Sequence, residues 1–95
     1  MRTRTIRDGL TFSAQCRELG ASIKRLDEVL RGATWALALN AEAFPDVTGT
    51  GIRVLHVKRF PGIPRLRIFF KIADDDYIDL MWIEEIGEDP TEPVL

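Results

Sequence analysis

Residues 65–84 constrain this chain more than any other stretch, because their pattern is that of a β-hairpin. Leu66, Ile68, Phe70 and Ile72 alternate with Arg65, Arg67, Phe69 and Lys71; a second run sets Ile78, Leu80 and Trp82 against Tyr77, Asp79, Met81 and Ile83. Period-2 alternation of this length marks half-buried strands. For the apolar faces to coincide, Ile72 lies opposite Ile78, Phe70 opposite Leu80 and Ile68 opposite Trp82. That register leaves Asp74, Asp75 and Asp76 as a three-residue loop, its last residue left-handed. On the other face it sets Lys71 against Asp79, Phe69 against Met81 and Arg65 against Glu85, and leaves Arg67 facing Ile83. The two opposite-charge pairs support the register.

The rest of the chain supplies two helices and two more strands. Thr3 to Arg7 reads as a short first strand, broken by Asp8-Gly9. A first helix covers Thr11 to Leu19, with Phe12, Cys16 and Leu19 on one stripe and Gly20 closing it. Ser22 is the expected cap of a second helix, whose stripe is Ile23, Leu26, Leu30, Ala33 and Leu37. Trp35 and Leu39 widen its buried face, and Gly32 inside it marks a close approach to the sheet or to the first helix. The helix ends before Pro45, which keeps Phe44 out of the helical region. Ile52 to Arg59 is a strand, and Phe60-Pro61-Gly62-Ile63-Pro64 is the turn into the hairpin. The sum is β-α-α-β-β-β, an α+β class: two N-terminal helices on a small, mainly antiparallel four-stranded sheet. One domain spans 1–87, and 88–95 is an acidic, proline-containing tail without periodicity.

Charge is segregated along the chain. Residues 52–71 carry Arg53, Lys58, Arg59, Arg65, Arg67, Lys71 and His56 and no acid, whereas 74–92 carry nine acids and no base. No apolar run approaches the roughly 18 residues of a membrane span, and no apolar segment follows the basic N-terminus, so a secretory signal is not expected. With a single cysteine, Cys16, this favours the cytoplasm. Cys16 reads as a buried structural thiol. One His and one Cys far apart make no metal site, Gly49-Thr50-Gly51 is too short for a phosphate loop, and Asp74–Asp76 is a solvated turn rather than a calcium loop; no metal or cofactor is expected. What remains is the basic block. His56, Lys58, Arg59, Arg65 and Arg67 come from neighbouring arms of one sheet, as a phosphate-holding surface requires. A solvated strand face neutralised across the hairpin is the competing reading.

Three stretches in order carry a family resemblance: Phe44-Pro45-Asp46-Val47 after a long helix, Leu66-Arg67-Ile68-Phe69-Phe70-Lys71-Ile72, and Ile78-Asp79-Leu80-Met81-Trp82-Ile83-Glu84 after an acidic turn. Over about residues 10 to 86 the chain resembles the RelE/ParE toxin superfamily of bacterial type II toxin–antitoxin systems. The resemblance implies two helices on a curved antiparallel sheet. It also implies one of two activities: RelE-like, ribosome-dependent mRNA cleavage, or ParE-like inhibition of DNA gyrase. Carried over, His56, Lys58 and Arg67 form the catalytic set, with His56 the candidate base. Arg53, Arg59, Arg65, Lys71, Phe69 and Met81 are the RNA- or antitoxin-binding residues. Where RNA-cutting members place a basic residue after the last strand, this chain has Glu84-Glu85-Ile86, and it lacks their C-terminal tyrosine. A catalytically inactive module whose sheet meets an acidic antitoxin is the third reading.

Overall fold

A computed structural model describes residues 3–47, 49–57 and 63–86. The elements are β1 (Thr5–Asp8), α1 (Leu10–Gly20), α2 (Leu26–Asn40), a 3₁₀ turn (Ala41–Ala43), β2 (Arg53–Val57), β3 (Arg65–Ile72) and β4 (Tyr77–Ile86). The four strands form one sheet in the order β1-β4-β3-β2, with β1 parallel to β4 and the other neighbours antiparallel. The expected β-α-α-β-β-β order and α+β class are what the chain adopts.

Both helices lie on one face. The core joins Phe12 of α1 and Leu26 and Leu37 of α2 to Leu66, Ile68, Phe70, Ile78, Leu80 and Ile83 of the sheet. Each side chain completely withdrawn from water contributes roughly 1.5–3 kcal/mol, so these nine positions hold the two layers together. Among the described residues, no helix covers the opposite face of the sheet.

The hairpin register holds for its first half and then shifts. Ile72 pairs with Ile78, Lys71 with Asp79 and Phe70 with Leu80, as expected. Between Phe69 and Phe70 the ladder slips: Phe69 pairs with Trp82, Ile68 with Ile83, Arg67 with Glu84 and Arg65 with Ile86. Met81 is the extra residue of a β-bulge, and one extra residue turns every later side chain to the other face. Trp82 is therefore not a core residue. Ile83 takes that place at 2% exposure, and Trp82 stands half-buried on the helix-free face. The pairs Ile68–Trp82, Phe69–Met81 and Arg65–Glu85 do not form. At the bulge the backbone N–H of Ile83 donates to Oε1 of Gln15 in α1 at 2.7 Å, so the first helix helps fix the irregularity.

Other local expectations shift for identifiable reasons. The hairpin loop contains no left-handed residue. Instead Oδ1 of Asp74 accepts from the N–H groups of Asp76 (2.7 Å) and Tyr77 (3.0 Å), an Asx turn that needs no positive φ. The second helix starts at Leu26, not after Ser22, whose hydroxyl donates to the Leu19 carbonyl. Asp27 and Glu28 stand in its first turn, where a carboxylate meets the positive end of the helix dipole. Ile23 is buried from the preceding turn. Trp35 is 64% exposed and does not widen the buried face. Gly32 meets nothing: a Cβ there would find no atom within 4 Å, so it marks no close approach. A close approach occurs at Gly9 instead, where a Cβ would stand 2.7 Å from the Leu80 carbonyl oxygen. Phe44 is extended before Pro45 as expected, and its ring meets Phe70 edge-on at 6.0 Å. The sheet's first strand is anchored twice more: the Arg4 N–H donates to the Ala38 carbonyl, and the Arg4 side chain pairs with Glu42. No helix among the described residues is long and apolar enough to cross a membrane.

Candidate functional site

The helix-free face of the sheet is where the candidate residues gather, and its pattern follows from strand pairing. Residues paired across antiparallel strands share a face. Rows therefore run across the sheet at right angles to the strands. One row is Arg7 (β1), Asp79 (β4) and Lys71 (β3); the next is Trp82, Phe69 and Val54; the third is Glu84, Arg67 and His56. Beyond them Ile86 pairs with Arg65. An aromatic row lies between two charged rows.

The first row is tied up internally. Arg7 donates from Nε and Nη2 to both carboxylate oxygens of Asp79, at 2.6 and 3.1 Å, and its guanidinium lies 4.4 Å from the Tyr77 ring centroid. The hydrogen bond that Arg7 donates to Asp79 raises the Arg7 pKa. Lys71 is exposed beside the same carboxylate. In the middle row Phe69 and Trp82 stack with centroids 4.7 Å apart and planes 26° from parallel.

In the third row Arg67 is the hub. Its Nη2 bonds the Glu84 carboxylate, its guanidinium sits 5.6 Å from the Phe69 ring centroid, and its Nε is buried with no hydrogen-bond partner among the described residues. A buried donor left unsatisfied costs roughly 1–3 kcal/mol. Pairing gives Arg67 the charged partner that the uninterrupted register withheld. His56 is exposed on the other side of Arg67. Among the described residues the face carries four cations, Arg7, Arg65, Arg67 and Lys71, against two anions, Asp79 and Glu84.

The structure brings His56, Arg67, Arg65, Lys71 and Phe69 to this one face. It does not bring Arg53 there. Arg53 pairs with buried Phe70 on the helix side, where its Nη1 donates to the carbonyls of Phe44 (2.7 Å) and Glu42 (3.3 Å) and closes the end of the helical segment. Met81 occupies the bulge rather than a place beside Phe69. Lys58 and Arg59 lie outside the described residues. Sequence reasoning missed Trp82, Glu84 and Arg7 as members of the face. The four successive apolar residues Leu80-Met81-Trp82-Ile83 were the available sign that alternation breaks there.

On the helix side, a groove of about 600 Å³ runs between α2 and the edge strand β2, lined by Val29, Ala33, Ala36, Phe44, Leu55 and Ile63 among others, with Arg25 and Glu28 at its rim. Cys16 is half-buried, and burial, aided by Asp8 and Asp27, pushes its thiol up to about 11, away from nucleophilic use at neutral pH. No group of three His, Cys, Asp or Glu among the described residues could hold a metal ion. No protein-family model, no curated protein and no solved structure matches this chain.

Proposed function

We propose that this chain is a toxin-like protein of the RelE/ParE kind and that its helix-free sheet face cleaves mRNA in a ribosome-dependent way. The observation that carries the reading is the pairing of His56 with Arg67, one row from the Phe69–Trp82 stack, on a face whose described residues include more cations than anions. Cleavage of RNA by its own 2′-hydroxyl requires a cation for the charge that gathers on the phosphorane oxygens and a group that moves protons. Arg67 supplies the first and His56 the second. Aromatic rings beside them offer a base a surface to stack on, worth about 1–3 kcal/mol per base. The family resemblance supplies the ribosome as the setting.

A second reading is a catalytically inactive binding module. The Arg67–Glu84 ion pair favours it, because a carboxylate already occupies the cation that a phosphate would use. Growth on induction, the state of cellular mRNA and the state of DNA separate the readings. Arrest with mRNA cut only when ribosomes are present, relieved in folded His56→Ala and Arg67→Ala variants, is the expected result. Full toxicity in both variants refutes the nuclease. Arrest with DNA breaks and intact mRNA indicates gyrase inhibition, and no arrest at any expression level leaves the binding module, whose partner is an acidic antitoxin.

A further inference from the structure

The solvent side of α2 carries a second, separate surface. Its stretch Gly32-Ala33-Thr34-Trp35-Ala36-Leu37-Ala38-Leu39 contains no charged residue, and its one polar side chain, Thr34, donates its hydroxyl to the Arg31 carbonyl at 3.2 Å. A helix that packs on a core along one face only carries charged and polar residues on the other. Glu28, Gly32, Trp35 and Leu39 fall at i, i+4, i+7 and i+11, one stripe on the side away from buried Leu26 and Leu37. Trp35 on that stripe is 64% exposed. We propose that the stripe is a self-association surface: two copies of this chain pack α2 against α2, antiparallel about a two-fold axis, with each Trp35 seated over Gly32 of the other copy.

Three observations select a second copy as the occupant. The first is that knob and hole lie on the same patch, as a two-fold interface requires. Beside Trp35 runs an open hollow of about 640 Å³ between α2 and β1, whose walls include Ile6, Glu28, Arg31 and Gly32. A Cβ at Gly32 would meet no atom within 4 Å, so the helix backbone is bare where an indole would rest. The second is register. A two-fold axis crossing α2 at right angles between Ala33 and Thr34 keeps each residue on its own side of the helix and reverses its level. Trp35 then lies opposite Gly32 and Glu28 opposite Leu39, so the stripe maps onto itself. The third is charge. The charged side chains of α2, Asp27, Glu28 and Arg31, all stand in its N-terminal half. Antiparallel packing sets them against the uncharged half, whereas parallel packing would stack Glu28 on Glu28 and Arg31 on Arg31. Arg31 makes no ion pair among the described residues. It comes beside Trp35 of the other copy, where a guanidinium is attracted to the indole face.

The size of the contact sets its strength. One helix laid on one helix buries less than the roughly 1,200–2,000 Å² of a stable interface, so association is weak, with a dissociation constant on the order of 10–100 µM. Its energy is concentrated in the central Trp35, as aromatic anchors concentrate it elsewhere. The helices lie on one side of the sheet, so the pair leaves the helix-free face of both copies open. The inference therefore stands apart from the nuclease reading.

Sedimentation velocity of the full chain, from well below to well above that dissociation constant, tests the proposal. The mass should rise from one chain to two and no further. Trp35→Ala should raise the dissociation constant about 30-fold or more, the loss expected of a central tryptophan. Gly32→Leu fills the seat of the partner indole and should abolish the pair. Leucine also favours a helix, and the site is open, so the same variant should raise Tm in dilute solution, which separates loss of pairing from loss of fold. Direction is read by cross-linking in a Cys16→Ala background. Glu28→Cys and Leu39→Cys, mixed and oxidised, should join to each other, and neither should join to itself. Self-linked Glu28→Cys means parallel helices and overturns the register. A single-chain mass at every concentration overturns the proposal, as does a dimer that Trp35→Ala and Gly32→Leu leave at wild-type strength, or growth beyond two chains.

Discussion

Replacing Gly9 by Ala tests the join between β1, α1 and β4. Gly9 has φ −68° and ψ 158°, a conformation any residue adopts, so backbone preference is not at issue. In open space the substitution would stabilise by about 0.4–1 kcal/mol through the unfolded chain. Space decides the sign. The new Cβ would stand 2.7 Å from the Leu80 carbonyl oxygen, a backbone atom of a central strand that cannot swing aside as a side-chain tip can. The same carbonyl accepts the Gly9 N–H at 3.0 Å, so relief of the clash stretches that bond. Overpacking costs about 1–3 kcal/mol and a weakened hydrogen bond adds up to about 1 kcal/mol. The net expectation is a loss near 2 kcal/mol. At about 4–8 °C per kcal/mol for a domain of this size, Tm falls by about 8–16 °C. Gly32→Ala is the internal control: it sits inside α2 with nothing within 4 Å of the added methyl, so it should gain about 0.8–1 kcal/mol and raise Tm. Thermal unfolding of both variants by circular dichroism reads the pair. A Gly9→Ala protein as stable as wild type, or more so, refutes the packing argument.

Two further outcomes can be measured with the same method. Ile83→Ala should cost about 2–5 kcal/mol as a core truncation, and more than Trp82→Ala, whose outer-face stack contributes about 0.5–1.5 kcal/mol beyond its area; the reverse order would mean that β4 has no bulge. For Cys16, folding favours the thiol over the thiolate, so its contribution to stability is present below the unfolded thiol's pKa and is lost as pH rises through about 11. Denaturant midpoints followed above pH 9 should therefore fall less steeply in Cys16→Ala than in wild type, and iodoacetamide should label native wild type more slowly than unfolded protein at pH 8; equal slopes and equal labelling would contradict this.

The architecture was readable because apolar spacing reports burial directly: Leu66, Ile68, Phe70, Ile78 and Leu80 are all buried on the helix side, as their alternation required. The functional face was readable only in part, because the apolar run Leu80-Met81-Trp82-Ile83 breaks the alternation without showing which residue is inserted. Assuming uninterrupted pairing from Ile72–Ile78 onward sent Trp82 inward and left Arg67 opposite Ile83; one unpaired methionine reverses both. Charge offered a check that hydrophobicity did not, since only the shifted register gives Arg67 an acid across the strand. Trp35 failed for a different reason. Helical periodicity locates a face but not how far the neighbouring layer extends, and Trp35, off the centre of that face, stays 64% exposed. The Gln15–Ile83 bond could not be seen at all, because a polar helix residue looks alike in sequence whether it meets water or a strand.

The parallel pairing of β1 with β4 sets an order of assembly. Thr5 lies beside Tyr77 and Asp8 beside Leu80, so among the described strands β1 has β4, far along the chain, as its one neighbour. The helices can form on a shorter nascent chain, but the hairpin and the row Arg7–Asp79–Lys71 close only after residue 79 has emerged. Any nascent chain short of that point carries an incomplete charged row. The charged row of the face proposed to act on RNA is thus completed only by a pairing between segments distant in sequence, a delay written into the topology.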